Sequence, residues 1–128
     1  MGIITVELKI SNAYNTKIET VLVPAKVDSG ATMLVLPESV VKEFGFPIIR
    51  KQSVKYANEK TELLDVVHGV IMEVCGRKGV FEAISQPNKN YALLGAVPME
   101  VLDLIVEPSS LGLYPNPRSI DAPMAEIE

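Results

Sequence analysis

The chain holds one cysteine, Cys75, and one histidine, His68, and that scarcity closes several routes to function. No disulfide can form within it, which suits a reducing compartment. A structural zinc site draws on about four Cys or His ligands, so these two fall short. A Cys–His nucleophile pair would need both side chains on one side of the backbone. They stand an odd number of residues apart in an alternating stretch, Val66 to Val74, which sends them to opposite sheet faces.

Positive charge is sparse too. Twelve Lys and Arg face sixteen Asp and Glu, for a net charge of −4. The basic residues are scattered from Lys9 to Arg118 with no stripe to neutralise phosphates, which argues against nucleic acid as a partner. No apolar run approaches the roughly 20 residues that span a bilayer. The first ten residues carry Glu7 and Lys9 and so lack a signal peptide's apolar region. Val6 stands where a myristoylation signal wants Ser or Thr. The expectation is a cytoplasmic protein with no membrane partner.

What is present is apolar and β-rich. The chain has 128 residues, 48% of them hydrophobic, enough for one domain with a core that needs neither disulfide nor metal. Ile4, Val6, Leu8 and Ile10 alternate with Thr5, Glu7 and Lys9, the pattern of a half-buried strand. Ile18 to Val27 is β-rich, with Pro24 marking an edge or a bulge. Met33 to Leu36 resumes strand character. Pro37 to Gly45 predicts a short helix, with Pro at the first turn, an acid near the start, Lys late and Gly past the end.

Residues 52–74 predict two strands around the turn Asn58-Glu59-Lys60, and Gly79 to Ile84 a further strand. A second short helix is expected over Pro98 to Leu104, then strands at Ile105-Val106 and Leu111 to Tyr114. The residues from Pro115 onward hold three of the nine prolines and little periodicity. The expected organisation is a domain over 1–117 and an extended or disordered tail over 118–128. Many short strands with two short helices point to a small, mostly β barrel.

Chemistry concentrates where an apolar strand breaks into Asp28-Ser29-Gly30. The strand fixes Asp28 on rigid backbone, Ser29 can hydrogen-bond locally, and Gly30 lets another chain approach closely. Turns use the same three residue types constantly, so the tripeptide alone leaves a plain turn open.

The context resembles the retropepsin-like (clan AA) aspartic peptidases. Val27-Asp28-Ser29-Gly30-Ala31-Thr32 resembles the family's active-site loop. Leu36-Pro37 and the helix ending at Gly45 are similar to the segment that follows it. Ala57-Asn58-Glu59 falls where the flap lies, and Leu93-Leu94-Gly95 resembles the segment that supports the catalytic loop. The stretch Val101 to Pro117 is similar to the endings of uncharacterised prokaryotic members. Two departures stand out: Glu59 occupies a flap position where Gly is common, and Ala96 a position where retroviral members carry Arg.

The resemblance implies a mainly β, single-lobed acid-protease barrel with two short helices, and an aspartic endopeptidase activity. Asp28 would be catalytic, Ser29, Gly30, Ala31, Leu94 and Gly95 would support its loop, and Ala57, Asn58 and Glu59 would close over an extended peptide substrate. Water would attack, with no metal and no cofactor. Two carboxylates sharing one proton are needed, and the chain has one Asp-Ser-Gly, so the expected partner is a second copy of itself in a C₂ homodimer. The alternative is a dimeric binding or assembly module that keeps the fold without catalysis.

Overall fold

The computed structural model describes residues 3–119, 121–125 and 127. The expected N-terminal strand forms as β1 (Thr5–Asn12), antiparallel to β2 (Val21–Val27). Ile4, Leu8 and Ile10 are buried, as the alternation requires, and Leu8 lies opposite Val23. Strand character was expected from Ile18, but pairing starts only at Val21, opposite Ile10. Before Val21 the backbone turns on itself, Asn15 donating to the Asn12 carbonyl at 3.4 Å and Ile18 to that of Asn15 at 3.3 Å, while the other edge of β1 takes a second partner.

That partner is β5 (Thr61–Val74), whose second half pairs with Lys9–Asn12. Its first half pairs instead with β4 (Ile48–Lys55). The switch falls at a bulge between Val67 and Val70, where Gly69 adopts φ +83°. A Cβ there would stand 2.4 Å from the Tyr14 ring, so both torsion and space require glycine.

β6 (Arg77–Gln86) continues antiparallel from β5, and β3 (Leu34–Pro37) lies parallel to β6. β7 (Ala92–Leu94) fits between β3 and β2, antiparallel to the first and parallel to the second. The strand order β1-β2-β7-β3-β6-β5 then returns to β1, closing a six-strand barrel. β4 pairs with β5 and, among the described residues, with nothing else, so the β4–β5 hairpin projects as an arm.

Leu8, Leu34, Leu36, Phe44, Met72 and Leu94 fill the barrel and are almost wholly buried. Each such side chain contributes about 1.5–3 kcal/mol of transfer free energy. The helix α1 (Glu38–Phe44) starts after Pro37 and ends at Gly45, as its terminus signals predict. It buries Val41 and Phe44, and Phe44 stacks on Phe46 with centroids 5.3 Å apart.

The second helix forms earlier than expected, as α2 (Ala96–Val101) rather than from Pro98. Pro98 lies in its first turn, where backbone N–H groups have no helical acceptor and proline costs nothing.

A hairpin of β8 (Leu104–Glu107) and β9 (Gly112–Pro115) completes the domain. Beyond it, Pro117–Ser119 forms a 3₁₀ turn, and Ser119, past the boundary expected at 117, is buried. The buried Arg77 fastens it, donating to the carbonyls of Leu102 at 3.0 Å, Asp103 at 2.9 Å and Ser119. No helix among the described residues is long and apolar enough to cross a membrane.

Candidate active site

Asp28 follows directly from β2, and its loop is pinned from below by the chain leaving β7. Its amide donates to the Leu94 carbonyl at 3.0 Å. The Ala31 amide closes a turn onto the Asp28 carbonyl at 3.1 Å. Ala96 and Val97 then donate to the carbonyls of Ala31 and Thr32 at 2.8 and 2.9 Å. Leu94 and Gly95 therefore run beneath the loop as backbone support.

The carboxylate itself is oriented by the Gly30 amide, which donates to Asp28 Oδ1 at 2.9 Å. Among the described residues no donor reaches Oδ2, and the side chain is exposed to a cleft. Ser29 is exposed at the turn, and the orienting bond comes from the Gly30 backbone rather than from its hydroxyl.

The cleft has a volume of about 620 Å³, within the range of ordinary ligand sites. Asp28, Gly30 and Ala31 form one side. A separate apolar cluster, Val35, Leu64, Val66 and Ile84 with Met33, Val54 and Leu93 against it, lies between the barrel and the arm. All of these but Val66 line the cleft.

The arm supplies the opposite wall through five consecutive residues, Gln52 to Tyr56, and then Ala57. A strand that lined the cleft with one face would contribute alternate residues. The unbroken run means that the free edge of β4 borders the cleft. Asn58 and Glu59 form the exposed turn beyond this wall, so of the expected flap residues only Ala57 lines it.

Two groups of side chains at or beside this cleft belong to no motif in the sequence. Tyr56 donates its hydroxyl to Glu62 at 2.7 Å and accepts from Gln86 Nε2 at 3.2 Å, tying the arm to the end of β6. The bond to the Glu62 carboxylate favours the neutral phenol and pushes the Tyr56 pKa up, with burial adding to it. At the other end, the ammonium groups of Lys26 and Lys89 lie 4.2 and 4.7 Å from the centroid of the Tyr91 ring. The hydrogen bond from Lys89, and then the charges of both lysines, pull the Tyr91 pKa down. The available signal was parity: Lys26 stands two residues before Asp28, and Lys89 and Tyr91 alternate towards Leu93.

His68 and Cys75 serve elsewhere. His68 Nδ1 meets the Tyr14 hydroxyl at 2.7 Å, and the Cys75 thiol, its pKa raised by burial, donates to the Leu113 carbonyl at 3.2 Å. Among the described residues no three His, Cys, Asp or Glu side chains converge to hold a metal ion.

No family model and no curated protein matches the chain. Solved structures do. The chain is similar to the simian foamy virus (mac) protease at 24% identity with a TM-score of 0.54, over 74% of this chain and 90% of that one. It is also similar to the foamy viral protease-reverse transcriptase in complex with an RNA/DNA hybrid, at 21% identity and a TM-score of 0.57. That match covers 76% of this chain and 11% of the larger one. The closed six-strand barrel with its two helices is thus the retropepsin-like fold.

Proposed function

We propose that this retropepsin-like chain is an aspartic endopeptidase that works as a homodimer, with one Asp28 from each copy. The observation that supports it is the Asp28 loop. One carboxylate oxygen is held by the Gly30 amide, the other opens into an apolar cleft, and the loop rests on Leu94 and Gly95.

A lone carboxylate cannot act as base and acid at once. Among the described residues that line the cleft, Asp28 is the sole acid. A second copy brought against it by a two-fold axis supplies the other carboxylate, and like charges about 3 Å apart hold one proton between them. The ionised member takes a proton from water, the protonated member gives its proton to the peptide carbonyl oxygen, and a tetrahedral diol forms. Proton return to the nitrogen releases the amine.

An extended peptide fits the remaining features. The unpaired edge of β4 offers main-chain donors and acceptors along the cleft, the means by which strands recruit a further strand. The apolar cluster beneath takes side chains of the same peptide.

The test compares the wild type with Asp28→Asn on a diverse peptide library read by mass spectrometry from pH 3 to 8. Light scattering runs alongside. The expected outcome is a wild-type dimer that cuts, and an Asp28→Asn variant that forms the same dimer and does not. A strictly monomeric protein, even with a peptidic transition-state mimic, would sink the shared site. A wild-type dimer that cuts nothing leaves a binding module, and equal cutting by both forms removes Asp28 from the chemistry.

A further inference from the structure

We propose that Lys26 and Lys89, gathered on the ring of Tyr91 beside Asp28, form a subsite for an acidic side chain of the peptide substrate. The inference rests on the peptidase reading above and adds the class of substrate.

A side cavity of about 290 Å³ opens next to the cleft, lined among others by Ile3, Lys26, Asp28, Lys89 and Tyr91. Asp28, Lys89 and Leu93 line both spaces, so the two adjoin at these residues. Lys26 lies at the end of β2, two residues before Asp28, and both line this cavity. An occupant of the side cavity therefore sits within a residue or two of a bond held at Asp28.

The charge at this place is unusual for the molecule. The chain is acidic overall, at −4. The other cation lining the cleft, Lys55, pairs with Glu59 at 2.9 Å. Lys26 and Lys89, both half-buried, have no carboxylate within ion-pair distance among the described residues. Two like charges converge instead on one aromatic ring, which offsets part of their repulsion through its negative face. Lys89 also donates to the Tyr91 hydroxyl at 3.2 Å, and the lowered phenol pKa registers the same local positive field. A carboxylate placed between the two ammonium groups would accept charge-assisted bonds from both and remove the repulsion.

The experiment uses matched peptides that differ by Glu or Gln beside the cut bond, each with a free and an amidated C-terminus. Wild type should cut the Glu peptide about tenfold better in kcat/KM, the size of one hydrogen bond to a charged group. The preference should shrink in high salt and below about pH 4, where Glu becomes neutral. Lys26→Met with Lys89→Met should bring the Glu/Gln ratio towards one, and Lys89→Glu should favour a Lys peptide.

A ratio near one in the wild type, or a ratio untouched by the double substitution, overturns the subsite and leaves the peptidase standing. A preference that follows the free C-terminus also overturns it, in favour of a terminal carboxylate. If nothing is cut, fluorescence anisotropy with the same peptides decides. Glu-selective binding lost in the double variant upholds the subsite while the peptidase falls, and unselective or absent binding removes both.

Discussion

Gly95 packs directly under Ala31: a Cβ at position 95 would stand 2.7 Å from the Ala31 carbonyl oxygen and 2.4 Å from that of Met33. The φ of Gly95 is −87°, so space rather than torsion excludes a side chain. The Ala96 amide binds the same Ala31 oxygen, which leaves the loop no room to rise without losing that bond. Gly95→Ala should cost about 1–3 kcal/mol, the usual range for overpacking. It should reduce hydrolysis further still, by about 100-fold, because a shift of about 1 Å at reacting groups has that effect. Thermal unfolding and kcat/KM on one preparation check both, and a variant as stable as wild type would contradict the packing.

What the sequence revealed was local or carried by a motif. The alternation around Leu8 and Ile10 showed β1 because a half-buried strand has period two, and Pro37 and Gly45 marked both ends of α1. The Asp28 loop and its Leu94-Gly95 support were legible as motifs, which made their contact foreseeable across 67 residues of chain only through resemblance. The rest depends on distant contacts. Gly69 is a local signal for a bulge, but nothing near it announces that the second half of β5 leaves β4 and closes the barrel on β1. The Tyr56–Gln86 bond likewise arises only once β4, β5 and β6 are paired, and the meeting of Lys26, Lys89 and Tyr91 only once β2 and β7 lie side by side.

Tyr56 is the place to test how the arm is held. Tyr56→Phe removes the bonds to Glu62 and Gln86 while keeping the ring against the cleft. Glu62 is exposed and regains water, so global stability should fall by no more than about 1 kcal/mol. The arm should open more often, seen as faster amide exchange over residues 52–64 with the barrel unchanged. A rise of several-fold in KM should accompany it. Unchanged exchange in the arm would mean that the apolar cluster beneath, not this hydroxyl, holds it down.

The arm's turn carries backbone strain at Glu59, whose φ is +70°. Glycine adopts that region freely, while a residue with a Cβ is penalised by about 1 kcal/mol. The pair with Lys55 is largely exposed and returns only a few tenths of that, about 0.3 kcal/mol. Denaturant midpoints should therefore rank Glu59→Gly above Glu59→Ala by about 1 kcal/mol, the reverse of the order at an ordinary exposed site. Equal midpoints would show that the turn relaxes to another conformation when the glutamate is removed.

Asp103 contributes to the pH dependence of stability on the acid side. It follows α2 at φ +54° and accepts from the Ser119 hydroxyl at 2.5 Å, Asn116 Nδ2 at 3.0 Å and the Met124 amide at 3.3 Å. The Ser119 bond, then that of Asn116, holds its carboxyl below the usual carboxylate range. A carboxyl whose pKa is lower folded than unfolded adds stability that is complete above the unfolded value, about 4, and drains away as pH falls through the folded one. Asp103→Asn keeps a residue that tolerates the left-handed backbone and removes the charge. The melting temperature should fall relative to wild type by a constant amount from pH 7 to 5, and the gap should narrow below pH 4 as the native carboxyl protonates. Ser119→Ala should weaken the depression and move that narrowing to higher pH. A gap that persists undiminished at pH 2 would mean that Asp103 holds the C-terminal turn by shape rather than by its charge.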